Sequence, residues 1–175
     1  MGEETYHLVT LGCPKNQVDS DKLAGTLAAD GMASTDSPAE ADLIIVNTCA
    51  FIADARQESV DTVLALADLR RDGARLVVTG CMAERYGDEL AEALPEVDSV
   101  AGFGVPVVLG RRPDSPSDSE PSLPLFDLLN LPRPASTRPW AYVKIAEGCD
   151  RACGFCAIPT FRGPQRSRSI DSILE

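Results

Sequence analysis

Three cysteines, Cys149, Cys153 and Cys156, stand in a C-x3-C-x2-C arrangement within EGCDRACGFCAIPTFRG, residues 147–163. Three thiolates on one short loop can hold three irons of a cubane cluster and leave the fourth iron open to a substrate or cofactor. A cubane with four cysteine ligands mostly carries electrons. Zinc is the competing ligand. A structural zinc site wants four ligands, commonly in C-x2-C pairs, but no fourth cysteine lies nearby and the one histidine is His7. Three unrelated buried thiols account poorly for three cysteines in eight residues.

The other three cysteines, Cys13, Cys49 and Cys81, are separated by 36 and 32 residues. Their role depends on the elements around them. Tyr6 to Leu11 reads as a buried strand ending at a Gly12-Cys13-Pro14 turn. Asn16 is placed to cap a following helix, with Asp19 and Asp21 near its positive end. That helix carries Leu23 and Leu27 and stops near Gly31. Ala41 to Asn47 is the clearest strand and leads into Thr48-Cys49. In the next helix, Val60, Val63, Leu64 and Ala67 form one apolar stripe, and Gly73 ends it. Arg75 to Thr79 is a third strand running into Gly80-Cys81. A helix with Leu90 and Leu94 on one side then closes at Pro95, and Val97 to Ala101 reads as a fourth strand.

This alternation predicts an α/β fold, an open and mostly parallel sheet flanked by helices. Parallel strands would carry Cys13, Cys49 and Cys81 to one carboxyl edge, where such sheets bind ligands. Each cysteine also precedes a helix, whose N-terminal field favours the thiolate. The expectation is a second three-cysteine site. The competing reading is three small buried thiols, since free cysteine often behaves as a core hydrophobe.

Residues 113–139 change character, with seven prolines in 27 positions, and read as an extended linker. Leu123, Leu125, Phe126, Leu128 and Leu129 form an apolar island there, to be packed on a neighbour or left on a loose tether. Trp140 to Ala146 reads as a new strand entering the Cys149 loop, and Ser169 as the cap of a helix from Ile170. A strand, a loop and a short helix cannot bury a core of their own. The expected organisation is a domain at 1–112, the linker at 113–139, and at 140–175 the incomplete start of a second domain within a longer protein.

The loop resembles a known signature. C-x3-C-x-aromatic-C, with Phe155 as the aromatic, is similar to the cluster loop of radical S-adenosylmethionine (SAM) enzymes. Ile158-Pro159-Thr160-Phe161-Arg162-Gly163 narrows the likeness to their methylthiotransferase branch. The runs LGCPKN at 11–16, NTCAFI at 47–52 and TGC at 79–81 resemble the three motifs of that family's N-terminal domain. The resemblance covers nearly the whole chain and is weakest in the linker. It implies an auxiliary [4Fe–4S] cluster on Cys13, Cys49 and Cys81, and the radical SAM cluster on Cys149, Cys153 and Cys156. It also implies that the second domain is the first βα segment of a truncated TIM-like barrel. The LGCPKN and NTCxFI forms resemble the branch that methylthiolates the β-carbon of an aspartate in small-subunit ribosomal protein twelve. By that likeness one SAM supplies a methyl group to a sulfur on the auxiliary cluster. A second SAM is cleaved to the radical that takes hydrogen from the target carbon. A reducing electron donor is implied as partner. The alternatives are a tRNA methylthiotransferase, or an iron–sulfur module without radical chemistry.

No catalytic side chain is assigned beyond the cluster ligands. Phe155 is a candidate to pack beside SAM or the cluster, with plain loop packing as the alternative. Lys15 and Asn16 are candidates to line the Cys13 site. Arg162, Arg166 and Arg168 could meet carboxylates of SAM or of the target, with solvent as the ordinary alternative. His7 needs no special role in its strand.

Composition limits the rest. The 175 residues are 44% hydrophobic, enough to bury a core. No run of about 18 apolar residues is present, so no transmembrane helix is expected. The acidic N-terminus lacks a signal-peptide pattern, and Tyr6 stands where a myristoylation motif wants Ser or Thr. A cytoplasmic location is expected, and cytosolic cysteine clusters bind metal more often than they form disulfides. Net charge is −11 overall, and residues 1–112 carry nine basic and nineteen acidic side chains. Such a balance does not favour nucleic-acid binding through phosphates and leaves room for a basic protein partner.

Overall fold

A computed structural model describes residues 4–103, 133 and 139–174. The expected apolar island of 123–129 lies outside these residues, as does most of the expected linker. Five strands form one sheet: β1 (Thr5–Thr10), β2 (Ala33–Ser34), β3 (Leu43–Thr48), β4 (Arg75–Gly80) and β5 (Ser99–Ala101). Their spatial order is β2-β1-β3-β4-β5, and every pairing is parallel. The crossovers include helices α1 (Pro14–Ala29), α2 (Ala53–Leu69) and α3 (Cys81–Ala93). The predicted α/β architecture is therefore present. Strand β2, two residues long, had no pattern by which to be read.

All six residues of β3 are buried, as a central strand covered on both faces requires. Period-two alternation divides the core between those faces. Leu43, Ile45 and Val77 share one cluster with Leu23 and Leu27 of α1. Ile44, Val46, Leu76 and Val78 share the other with Val63 and Leu66 of α2 and Met82 and Leu90 of α3. The apolar stripe of α2 differs from expectation. Ser59, Val63 and Leu66 are its buried positions, while Leu64 is turned outward. The helix also ends at Leu69, before Gly73 is reached.

Towards the C-terminal end, β6 (Ala146–Glu147) pairs antiparallel with β7 (Arg166–Ser167), accompanied by α4 (Ile158–Arg162) and α5 (Ile170–Leu174). The expected strand from Trp140 is not formed over 140–145. A strand persists when a neighbour satisfies its amide and carbonyl groups. Among the described residues no strand is laddered with 140–145, and Tyr142, Val143 and Ile145 are exposed. Ser169 does cap α5, its Oγ accepting from the Ser172 amide at 3.2 Å. Phe161 of α4 is buried in the core cluster of α2 and α3, so this segment packs directly on the first unit.

Candidate metal centre and its ionic frame

The first site forms where three adjacent strands end. Thr10 of β1 is paired with Asn47 of β3, and Thr48 of β3 with Gly80 of β4. Cys13 follows β1 as the N-cap of α1, Cys49 follows β3, and Cys81 opens α3. The expected placement at one carboxyl edge is what the structure shows. Cys13 is exposed, while Cys49 and Cys81 are buried.

Two glycines make this convergence possible. Gly12 has φ +88°, and a Cβ there would lie 2.7 Å from Cys49 Cβ and 2.9 Å from its Sγ. Gly80 has φ +92°, and a Cβ there would lie 2.6 Å from the Thr48 carbonyl oxygen and 2.7 Å from its amide nitrogen, and would also overlap Asn47 Oδ1. Positive φ and an absent side chain are both needed at these turns. Ser59 secures the Cys49 turn, its Oγ accepting from the Cys49 amide at 3.2 Å and donating to the Ala55 carbonyl at 2.8 Å.

At Cys81 burial works against ionisation. A helix N-terminus should favour its thiolate, yet burial pushes the thiol up to about 11. Arg162 opposes that rise without overcoming it, and the nearby Cys49 and Cys13 sulfurs add to it. Desolvation is the largest influence on this thiol. A bound metal would supply the missing positive charge and release the proton.

Asn16 is not the helix cap. It is fully buried in the first turn of a helix that starts at Pro14, with Cys13 as N-cap making no side-chain bond. Its Nδ2 donates to the carbonyls of Leu11 at 2.8 Å and Thr48 at 3.0 Å. Its Oδ1 accepts from Arg162 Nη2 at 2.7 Å and faces Cys81 Sγ at 3.6 Å. Asn16 thus ties together the turns that carry all three cysteines. Asp19 lies further along the helix and is buried, so it serves a partner rather than the helix end.

That partner belongs to a set of charges that sequence reading missed. Asp19 and Glu147 face Lys144 and Arg162 in an interior cluster of two anions and two cations. Arg162 Nη1 lies 2.9 Å from both Asp19 Oδ2 and Glu147 Oε2, and Lys144 bonds both carboxylates. Lys15, less buried, reaches Glu147 Oε1 at 3.4 Å. Burial would raise Glu147, but Arg162, Lys144 and Lys15 outweigh it and hold the carboxyl at about 2. Arg162 is not the solvated arginine of the ordinary alternative. Burial would ease off its proton, but the Cys81 sulfur, Asp19 and Glu147 hold it above its usual value. Its guanidinium also lies 4.7 Å from the Phe103 ring centroid. A lysine inside the apolar run WAYVKIA and an aspartate between Val18 and Leu23 were the available signals.

The second triad lies on the loop between β6 and α4. The Cys149 amide donates to the Gly163 carbonyl at 3.1 Å, and the Cys156 amide to the Cys153 carbonyl at 3.1 Å. The Arg151 amide points to Cys149 Sγ at 3.5 Å. Cys153 is exposed, and Cys149 and Cys156 are half-buried. Cys149, Cys156, Pro159, Thr160 and Pro164 border a cleft of about 380 Å³. Phe155 is 88% exposed. Arg168 donates to Ser172 Oγ at 3.0 Å, and His7 donates from Nδ1 to the Thr35 carbonyl at 2.9 Å.

Among the described residues, no group of three His, Cys, Asp or Glu is gathered as the ligands of one metal ion would be. A cubane puts each thiolate on a different iron, so its ligands stand farther apart than those of a single ion. Three thiols at the ends of neighbouring strands, and three on one loop, are a donor set of the chemical kind a cubane takes.

Comparison with known proteins adds a family. Residues 5–102 match the model described as Uncharacterized protein family UPF0004. The chain is 46% identical to ribosomal protein uS12 methylthiotransferase RimO of Myxococcus xanthus, over 98% of this chain and 37% of that protein. It is 49% identical to the protein of the same name from Desulfosudis oleivorans, over 96% of this chain and 40% of that one. The Geobacter sulfurreducens relative, also so named, is 43% identical over 98% of this chain and 40% of its own length. The chain thus spans about two-fifths of the length of these curated relatives.

Proposed function

This chain belongs to the UPF0004 family and matches the N-terminal part of RimO methylthiotransferases, and on that footing we propose that it forms the cluster-bearing part of an enzyme that methylthiolates an aspartate β-carbon in ribosomal protein uS12. The observation that carries the reading is the placement of Cys13, Cys49 and Cys81 at the carboxyl ends of three adjacent parallel strands. In this reading they hold the auxiliary [4Fe–4S] cluster. Cys149, Cys153 and Cys156 hold the cluster that binds SAM.

When bound, these groups would supply the hydrogen abstraction and sulfur transfer that acid–base side chains cannot. The chain's own residues hold and orient. Gly12 and Gly80 let the strand-end turns close on each other, and Asn16 fixes the turns. The buried ion pairs hold the loop of the second triad to α1. Phe155, standing in solvent next to Cys156 in the chain, is available to cover SAM. Residues 1–112 serve as the auxiliary-cluster unit, 113–139 as the tether and 140–175 as the beginning of the SAM-binding unit. A reducing electron donor completes the chemistry. The setting is the cytoplasm, and the net charge of −11 suits a basic protein substrate better than RNA phosphates.

The test is iron and acid-labile sulfide after anaerobic reconstitution. About eight of each are expected in the wild type, falling to about four in Cys13→Ala/Cys49→Ala/Cys81→Ala. About four irons in both proteins would remove the auxiliary site, and zinc without sulfide would remove the reading altogether.

A further inference from the structure

Arg162 follows the second triad in sequence, yet its side chain ends at a cysteine of the first. Nη2 lies 3.2 Å from Cys81 Sγ and 2.7 Å from Asn16 Oδ1. Nη1 is held at 2.9 Å by Asp19 of α1 and by Glu147, which stands two residues before Cys149. The Phe103 ring covers the guanidinium. With its side chain 4% exposed, the fork has one orientation available. A plain buried ion pair accounts for the carboxylate side. It does not account for the donor aimed at sulfur, because Nη1 alone meets both carboxylates while Nη2 is directed at Cys81 Sγ and Asn16 Oδ1.

We propose that Arg162 is a positioning residue shared by the two cysteine sites, and that its donation to Cys81 Sγ sets the reduction potential of the auxiliary cluster. The proposal rests on the cluster assignment made above. A thiol sulfur is a weak acceptor, whereas a metal-bound thiolate is a charged one, so the bond gains its full strength with the cluster in place. Donors to cluster sulfurs favour the more negative, reduced state and so raise the potential. Asp19 and Glu147 fix the guanidinium as outer partners fix a metal ligand.

The experiment uses a parent carrying Cys149→Ala/Cys153→Ala/Cys156→Ala, in which the auxiliary triad alone remains. It is reconstituted anaerobically and compared with Arg162→Lys and with Arg162→Gln/Glu147→Gln. The double variant leaves Asp19 and Lys144 as a balanced pair, so the interior keeps no net charge. Iron and sulfide should stay at about four each in all three proteins. The midpoint potential, followed by electron paramagnetic resonance, should move to more negative values in the double variant. Arg162→Lys should fall between the two, because it keeps the charge and loses the planar fork. Full iron with an unmoved potential would reduce Arg162 to an ion-pair partner and overturn the proposal while sparing the cluster. Iron lost from both variants but kept by the parent would make Arg162 a structural support and overturn it as well. A parent without iron would overturn the cluster assignment, and the proposal with it.

Discussion

At Gly80 and Gly12 a single hydrogen in place of a methyl group decides whether the cysteine turns can meet. Gly80→Ala combines positive-φ strain of about 1–2 kcal/mol with overpacking of about 1–3 kcal/mol against Asn47 and the Thr48 backbone. Gly31 has φ +85° but nothing within 4 Å of a Cβ, so Gly31→Ala carries the strain alone. Urea midpoints should therefore drop more for Gly80→Ala than for Gly31→Ala. Equal losses would mean that the close approach at Gly80 relaxes freely. The cysteines and glycines at these turns were legible from their order in the chain. Asn16 was a candidate to line the Cys13 site and Arg162 to meet carboxylates, but the particular partners that fix their roles were not legible, because capping and solvation are the ordinary fates of such residues. Their partners lie up to 146 positions away, from Asn16 to Arg162.

Helix α1 shows why the elements were easier to place than their faces. Asn16, Ser20, Leu23 and Leu27 recur at helical spacing and are all buried, but two of them are polar. A hydrophobicity pattern finds the apolar half of such a face and passes over the rest. Leu64 of α2 failed in the opposite sense, being apolar and on the outside. The ionic frame between α1, Lys144, β6 and α4 has a pH signature. Glu147 has an ordinary value of 4.5 and a folded value of about 2. Its contribution is thus fully present above about pH 5 and is lost as pH falls towards 2. The shift corresponds to on the order of 3 kcal/mol. Glu147→Gln should be less stable than wild type at neutral pH, with the gap in urea midpoint narrowing through that acidic window. A gap that stays constant down to pH of about 2 would show that the carboxylate's charge contributes nothing to the frame.

The molecule as a whole joins two stretches of chain that composition separates. Phe161 enters the sheet's core, and Arg162 and Lys144 complete the charge pairs of α1. The two stretches should therefore unfold together. Trp140, the one tryptophan, reports the second stretch, while far-ultraviolet circular dichroism reports the sheet and its helices. Coincident urea transitions are expected by the two probes, and both should shift by roughly 3–5 kcal/mol in Phe161→Ala. A separate, earlier tryptophan transition would break the link. The sequence by itself determined the alternation of strand and helix, the parallel sheet and the six cysteines in two sets, because local hydrophobic period and strand-end position are properties of short stretches. Tertiary structure alone decided that 140–145 forms no strand, that burial pushes the Cys81 thiol up, and that an arginine from beside one triad reaches a cysteine of the other. Those outcomes depend on desolvation and on charges brought together across more than a hundred residues, which no local pattern contains.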